Sequence, residues 1–148
     1  MRILYTAFKG KGNSSNKIVS ILSGEKLFLT NSYAGLKNDI DSINGTYDLV
    51  YMFGLDKNLK GNIRIDTVAE KDGIRLCSDA NANAIAAKLK ENGLAAGIGH
   101  TPTKYLCNEA YWYMLKKYNN HAVFFHVPSI KYISEDLIEK IRTSLNVQ

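Results

Sequence analysis

The residue whose type and position best suit nucleophilic chemistry is Cys107. The segment 103–108 (TKYLCN) lies between a predicted strand and a predicted helix, so Cys107 falls in the first turn of that helix. Unpaired backbone N–H groups in a first turn favour an anion, so they would stabilise a thiolate and lower the pKa of the thiol. The same amides could form an oxyanion hole. The alternative is a small buried helix residue, because free cysteines are often buried.

A second candidate, His126, lies in the segment 124–128 (FFHVP), at the end of an apolar run that predicts a strand. Functional sites of open α/β sheets form outside the carboxyl ends of the strands. A histidine there could deprotonate a nearby cysteine and later protonate a leaving amine. The alternative is a histidine that ends a strand and hydrogen-bonds locally.

The other histidines and cysteines offer weaker candidates. His100 lies close in sequence to Cys107 and could be an alternative base or a substrate contact, although a solvent-facing loop residue is the commoner interpretation. Cys77 falls in a predicted hairpin, where we expect a buried or edge residue without a chemical role. The three histidines and two cysteines lack the spacing of zinc ligands, so the sequence predicts no metal site.

Alternating strands and helices would position these residues. The strands are predicted at 3–8, 26–30, 48–53, 63–68, 74–77, 94–98 and 122–126. The helices are predicted from Ser14 or Ser15 to Gly24 and at 35–44, 81–92, 106–118 and from Ser134 onward. Asp72-Gly73 predicts a hairpin turn. Strands that alternate with helices favour a three-layer α/β/α fold around a mostly parallel twisted sheet.

The composition limits the function classes. A length of 148 residues fits one domain, 1–148. Two cysteines do not make a disulfide framework, and no apolar stretch resembles a signal-peptide core or a membrane helix. We therefore expect a cytoplasmic protein without a membrane partner. The net charge is +5, but the basic residues are scattered, which favours solvated surface lysines over a nucleic-acid site.

The two candidate segments together resemble a known family. Residues 105–108 (YLCN) and 125–128 (FHVP) are similar to the cysteine and histidine motifs of pyroglutamyl peptidase I, also called pyrrolidone-carboxylate peptidase. Residues 6–8 and the turn that follows look like the opening strand and Gly-rich turn of that family. Residues 53–55 (FGL) and 63–69 (IRIDTVA) are similar to its Gly-Leu turn and its glutamate-containing stretch. The resemblance covers the whole chain in order.

This resemblance implies a cysteine exopeptidase that removes an N-terminal pyroglutamyl residue from peptides or small amides. Such an enzyme uses a Cys, His and acid triad and needs no metal or cofactor. Matched residue by residue, Cys107 is the nucleophile, His126 is the general base, and Asp66 stands where the family has a glutamate. The acid must orient the imidazole and stabilise its cation. Self-association is expected by analogy with the family.

The resemblance also implies a substrate pocket. The family holds the lactam ring between two phenylalanines: Phe8 matches one of them, and Lys11 occupies the second position. Leu55, from the Gly-Leu turn, is the third expected substrate contact. The loop after Asp66 is short, with only residues 70–73 before the next predicted strand. Together with Asp66 and Lys11, this motivates the alternative of a catalytically impaired, family-derived binding or structural protein.

Overall fold

The structure, a computed structural model, describes residues 1–145 and contains one six-stranded and one two-stranded sheet. The larger sheet has the strand order β2-β1-β3-β8-β4-β7, and β5 pairs with β6 in a hairpin. The strands are β1 (Ile3–Phe8), β2 (Glu25–Leu29), β3 (Leu49–Leu55), β4 (Ile63–Asp66), β5 (Val68–Lys71), β6 (Ile74–Cys77), β7 (Ala96–Gly99) and β8 (Ala122–Val127).

Within residues 1–145, five α-helices cover the two faces of the large sheet. They are α1 (Ser14–Ile21), α2 (Tyr33–Asp41), α3 (Ala82–Glu91), α4 (Tyr105–Lys117) and α5 (Glu135–Leu145). Apolar residues of α1, α3 and α5 pack in one buried cluster, and those of α2 and α4 pack in another on the opposite face. The predicted three-layer α/β/α fold is therefore confirmed.

The direction of β4 distinguishes this sheet from a fully parallel one. β4 runs antiparallel to β8, while the other neighbouring strands of the large sheet run parallel. Side chains alternate between the two faces along each strand. Phe125 belongs to the cluster that α1, α3 and α5 share, whereas Phe124 belongs to the cluster with α4. His126 has the same parity as Phe124, so it faces the α4 side.

Apart from shifts in the ends of elements, local details differ from the sequence-based predictions in two places. The predicted strand 63–68 divides, because Thr67 separates β4 from β5, which leaves the large sheet to form the hairpin with β6. The side chain of Asn13, rather than Ser14 or Ser15, caps α1 by accepting a hydrogen bond from the Ser15 N–H.

The β5–β6 hairpin packs against α4. The Asn108 side chain accepts from the backbone N–H of Glu70 at 3.1 Å and donates to its carbonyl at 2.7 Å. The Trp112 indole donates to the carbonyl of Ile74. The positive φ angles of Asp72 and Gly73 agree with the predicted turn. None of the helices of residues 1–145 combines the length and apolar character that a membrane crossing requires.

Candidate active site

A cavity of about 740 Å³ lies where β3 and β8 end and α4 begins. Cys107, His126, Asp66 and Leu55 all line it. Its remaining walls come from residues 56–58 after β3, residues 101–106 before and at the start of α4, and Arg64 and Gly99. The fold thus brings to one opening four of the six residues that the family resemblance assigns to the triad and the substrate pocket.

His126 and Asp66 form a buried pair. β4 pairs with β8 so that Asp66 lies opposite Phe124, two residues from His126 on the same face. His126 Nδ1 donates to Asp66 Oδ2 at 2.5 Å, and the two side chains are only 4% and 1% exposed. The diagonal placement across adjacent strands lets an aspartate reach the imidazole without the extra methylene of a glutamate. The Phe124 ring stacks on the imidazole at 4.7 Å.

Neighbouring residues hold Asp66 in place. Asp66 pairs in register with Gly99 of β7, and a Cβ at residue 99 would overlap Asp66 Oδ1. The buried Tyr111 hydroxyl donates to the backbone carbonyl of Asp66 at 2.7 Å. The position of the Asp66 carboxylate therefore depends on the lack of a side chain at Gly99 of β7 and on the hydrogen bond from Tyr111 of α4.

The Cys107 sulfur lies over Gly54. A Cβ at residue 54 would lie 2.9 Å from Cys107 Sγ and 2.7 Å from the Phe124 ring. Gly54 is the register partner of His126, and adjacent strands are about 4.8 Å apart. The absence of a side chain at Gly54 therefore leaves space for the sulfur on the strand next to the imidazole.

The ionisation of Cys107 differs from the sequence-based expectation. Burial, with smaller contributions from the negative charges of Asp66 and Asp56, raises the pKa of the Cys107 thiol to about 12, and the positive charge of Arg64 opposes this rise. The prediction of a lowered thiol pKa is wrong for the free protein, because loss of water around the sulfur outweighs the field of the helix amides. The thiol is neutral at pH 7.

The first turn of α4 offers backbone donors to the cavity. Lys104 precedes the helix, and among residues 1–145 no side chain caps it. Tyr105 adopts a φ of 63°, in the left-handed region that a bulky side chain rarely occupies. Such outliers concentrate at functional sites. First-turn N–H groups lack partners within the helix, so they can meet an anionic oxygen beside Cys107.

Two expected substrate contacts lie elsewhere. Phe8 is 4% exposed and packs in the core with Leu29 and Leu36, so its ring presents no face to the cavity. Lys11 is exposed in the turn after β1. Neither residue lines the cavity, and their role in substrate binding stays a prediction. Leu55 does line it.

The remaining candidates contribute no chemistry to this cavity. His100 is exposed and outside the lining, and Cys77 is exposed on β6. Within residues 1–145, no group of three or more His, Cys, Asp or Glu side chains is arranged to hold a metal ion.

Two charged residues of the cavity, Asp56 and Arg64, are not among the candidates predicted from the sequence. The position of Arg64 could have been predicted, because Arg64 precedes Asp66 by two residues on the same strand, and a strand places such residues on the same face. Asp56 directly follows β3, where the chain leaves the sheet beside the site.

Comparisons with known proteins support the fold assignment. No family model matches the chain, and no curated protein matches it. Solved structures of pyrrolidone carboxyl peptidases do match. That from Thermus thermophilus has 17% identity and a TM-score of 0.83, covering 97% of this chain and 98% of that one. That from Fervidobacterium islandicum AW-1 has 21% identity and a TM-score of 0.79, covering 98% and 94%. That from Thermococcus litoralis has 19% identity and a TM-score of 0.76, covering 97% and 91%. The resemblance found in the motifs is confirmed at the level of the fold.

Proposed function

We propose that the protein is a cysteine peptidase that hydrolyses the amide bond after an N-terminal pyroglutamyl or related residue. The observation that supports this most is the buried pair of His126 and Asp66, joined at 2.5 Å, in the cavity that Cys107 also lines. A nucleophile, a base and an orienting acid are the groups that acyl transfer requires. The fold is that of solved pyrrolidone carboxyl peptidases.

The first step is the attack of Cys107 on the acyl carbon. Because the thiol is neutral, His126 removes the Sγ proton as the C–S bond forms. Since a carboxylate can only accept a hydrogen bond, the short contact between His126 Nδ1 and Asp66 Oδ2 assigns the proton to Nδ1 and leaves Nε2 to accept the Sγ proton. Asp66 holds the ring in this tautomer and stabilises the imidazolium. First-turn amides of α4 stabilise the oxyanion.

The later steps return the protein to its starting state. The imidazolium of His126 protonates the leaving amine as the C–N bond breaks, which leaves a thioester on Cys107. Water then attacks the thioester while His126 takes its proton, and the thiol departs with that proton. The acid is released and the neutral thiol returns.

The size of the cavity suits a small acyl group with part of the leaving peptide. Its volume of about 740 Å³ falls within the range of roughly 300–1,000 Å³ typical of ligand pockets. Leu55 and Pro102 supply apolar wall, and Tyr105, whose side chain is largely exposed, stands at the opening. Phe8 and Lys11 lie outside this cavity, so the contacts proposed here are those of Leu55, Pro102 and Tyr105.

The proposal is tested by release of a fluorophore from a pyroglutamyl amide. We expect hydrolysis by the wild type and a loss of several orders of magnitude in kcat in Cys107→Ala, because the covalent route is gone. Cys77→Ala is the matched control and should retain full activity, since Cys77 lies outside the cavity. Equal rates for wild type and Cys107→Ala would remove Cys107 from the mechanism.

A second candidate function is a binding protein of the same ancestry without peptidase activity. The raised pKa of the Cys107 thiol, about 12, favours it, because a thiol that is harder to deprotonate is a weaker nucleophile at neutral pH. Saturable binding of a pyroglutamyl peptide in calorimetry, with no hydrolysis after prolonged incubation, would establish this candidate. Turnover that depends on Cys107 would exclude it.

A further inference from the structure

Arg64 joins two carboxylates at the wall of the cavity. Its Nε donates to both oxygens of Asp66, at 3.1 and 3.2 Å, and its Nη1 donates to Asp56 Oδ2 at 2.8 Å. The Arg64 side chain is 29% exposed, whereas that of Asp66 is 1% exposed. The guanidinium is therefore the bridge between a buried acid and a partly exposed one.

The backbone fixes both ends of this bridge. Arg64 lies directly opposite His126 in the antiparallel pairing of β4 and β8, so its side chain leaves the same face of the sheet as the imidazole and Asp66. At the outer end, the Asp56 N–H donates to the Val127 carbonyl at 2.9 Å. Asp56 Oδ1 accepts from the Asn58 N–H at 2.9 Å. The acid that anchors Arg64 is thus itself anchored in a tight turn after β3.

The charge balance requires a cation at this position. An ionised carboxylate as deeply buried as Asp66 is costly unless it is paired and hydrogen-bonded. Arg64 is the only lysine or arginine paired with Asp66 among residues 1–145. The planar guanidinium also constrains direction: a donor shared between both oxygens turns the carboxylate as a unit. Because Arg64 Nε contacts both oxygens, it fixes the plane of the carboxylate in the orientation in which Oδ2 also meets His126 Nδ1.

We propose that Arg64 is the positioning residue of this site, which holds the Asp66 carboxylate against His126 while Asp56 fixes the guanidinium from outside. The effect of Arg64 on catalysis rests on the proposed function, whereas its effect on the position of Asp66 does not. Arg64 acts through Asp66 and His126 and takes no part in bond making. A lysine can replace it only in part, because a single ammonium cannot serve Asp56 and both oxygens of Asp66 in one geometry.

The first test is the downfield proton NMR resonance of the hydrogen-bonded His126 Nδ1–H, assigned by its absence in His126→Gln. We expect this resonance in the wild type, its loss or large upfield shift in Arg64→Gln, and an intermediate effect in Arg64→Lys. Arg75→Gln is the matched control: Arg75 pairs with Glu70 on the exposed hairpin outside the cavity, so the resonance should stay unchanged. An unchanged resonance in Arg64→Gln or in Arg64→Lys would overturn the proposal.

The second test is the split between kcat and KM on a pyroglutamyl amide. Misplacement of the acid should lower kcat by about 100-fold, with KM within about threefold in both Arg64 variants, since substrate contacts remain. A rise in KM with kcat unchanged would make Arg64 a substrate contact and refute positioning. Absence of turnover in the wild type would refute the proposed peptidase activity, and the NMR test would then decide the role of Arg64 alone.

Discussion

Gly99→Ala should disable the site without touching any residue that performs chemistry. Gly99 is the register partner of Asp66, and a Cβ there would overlap Asp66 Oδ1. Real Cβ contacts do not fall under 3.0 Å, so the oxygen must retreat. The two oxygens belong to one planar group, so this movement also turns Oδ2 away from His126 Nδ1. The hydrogen bond of 2.5 Å between them lengthens or breaks.

The size of the effect follows from the geometry. A displacement on the order of 1 Å in a catalytic group costs about 100-fold in rate, which corresponds to about 2.7 kcal/mol of activation free energy. We expect kcat of Gly99→Ala on a pyroglutamyl amide to fall by about this factor, with KM nearly unchanged. Gly97→Ala is the matched control on the same strand, because a Cβ at Gly97 meets nothing within 4 Å.

The comparison is informative only for folded protein, so thermal unfolding accompanies the assay. Both alanine variants should show cooperative unfolding, and Gly97→Ala should match the wild type in kcat. Equal kcat values for Gly99→Ala and Gly97→Ala would refute the reasoning, because Asp66 could then move without consequence for the reaction.

Two further predictions concern stability and ionisation. Tyr111→Phe removes the buried donor to the Asp66 carbonyl and should lower the free energy of unfolding in urea by about 1–3 kcal/mol; an unchanged unfolding midpoint would contradict this. Alkylation of Cys107 by iodoacetamide, followed by mass spectrometry with Cys77 as reference, should be slow at pH 7. Its rate should rise about tenfold per pH unit through pH 10, because the pKa of the thiol is about 12. The pKa of the Cys107 thiol in the folded protein is raised above its unfolded value of about 8.5. The contribution of this thiol to the free energy of unfolding is therefore fully present below about pH 8.5 and is lost as the pH rises toward 12. A Cys107 alkylation rate that levels off near pH 8 would refute the raised pKa.

The sequence predicts most of the fold because its signals are local. The apolar run at 48–53 becomes β3 and that at 122–126 becomes β8, with small shifts in their ends. The reversed direction of β4 has no local signal: Ile63 and Ile65 alternate in the same way in either orientation. The direction of a strand depends on the neighbours with which it pairs in the folded chain. Residues 63–66 pair with β8 in the antiparallel direction.

The candidate site was also predictable only in part, because some of its features are local in sequence and others depend on long-range contacts. Motifs located Cys107, His126 and Asp66 and suggested their grouping. The pKa of Cys107 was not predictable, because it depends on burial under neighbours far away in sequence. The burial of Phe8 was not predictable either, because both faces of its strand are covered by helices and the sequence does not show which side chains reach the cavity. The need for space at Gly99 appears only when β7 pairs with β4 and brings Asp66 beside it.

The most direct test of the central claim is acid-quench mass spectrometry during turnover of a saturating pyroglutamyl amide. The proposed mechanism requires a pyroglutamyl adduct on the peptide that contains Cys107, and both this adduct and turnover should be absent in Cys107→Ala. Product release at the wild-type rate in Cys107→Ala, or an adduct found on another residue, would contradict the claim that this sulfur attacks the acyl carbon.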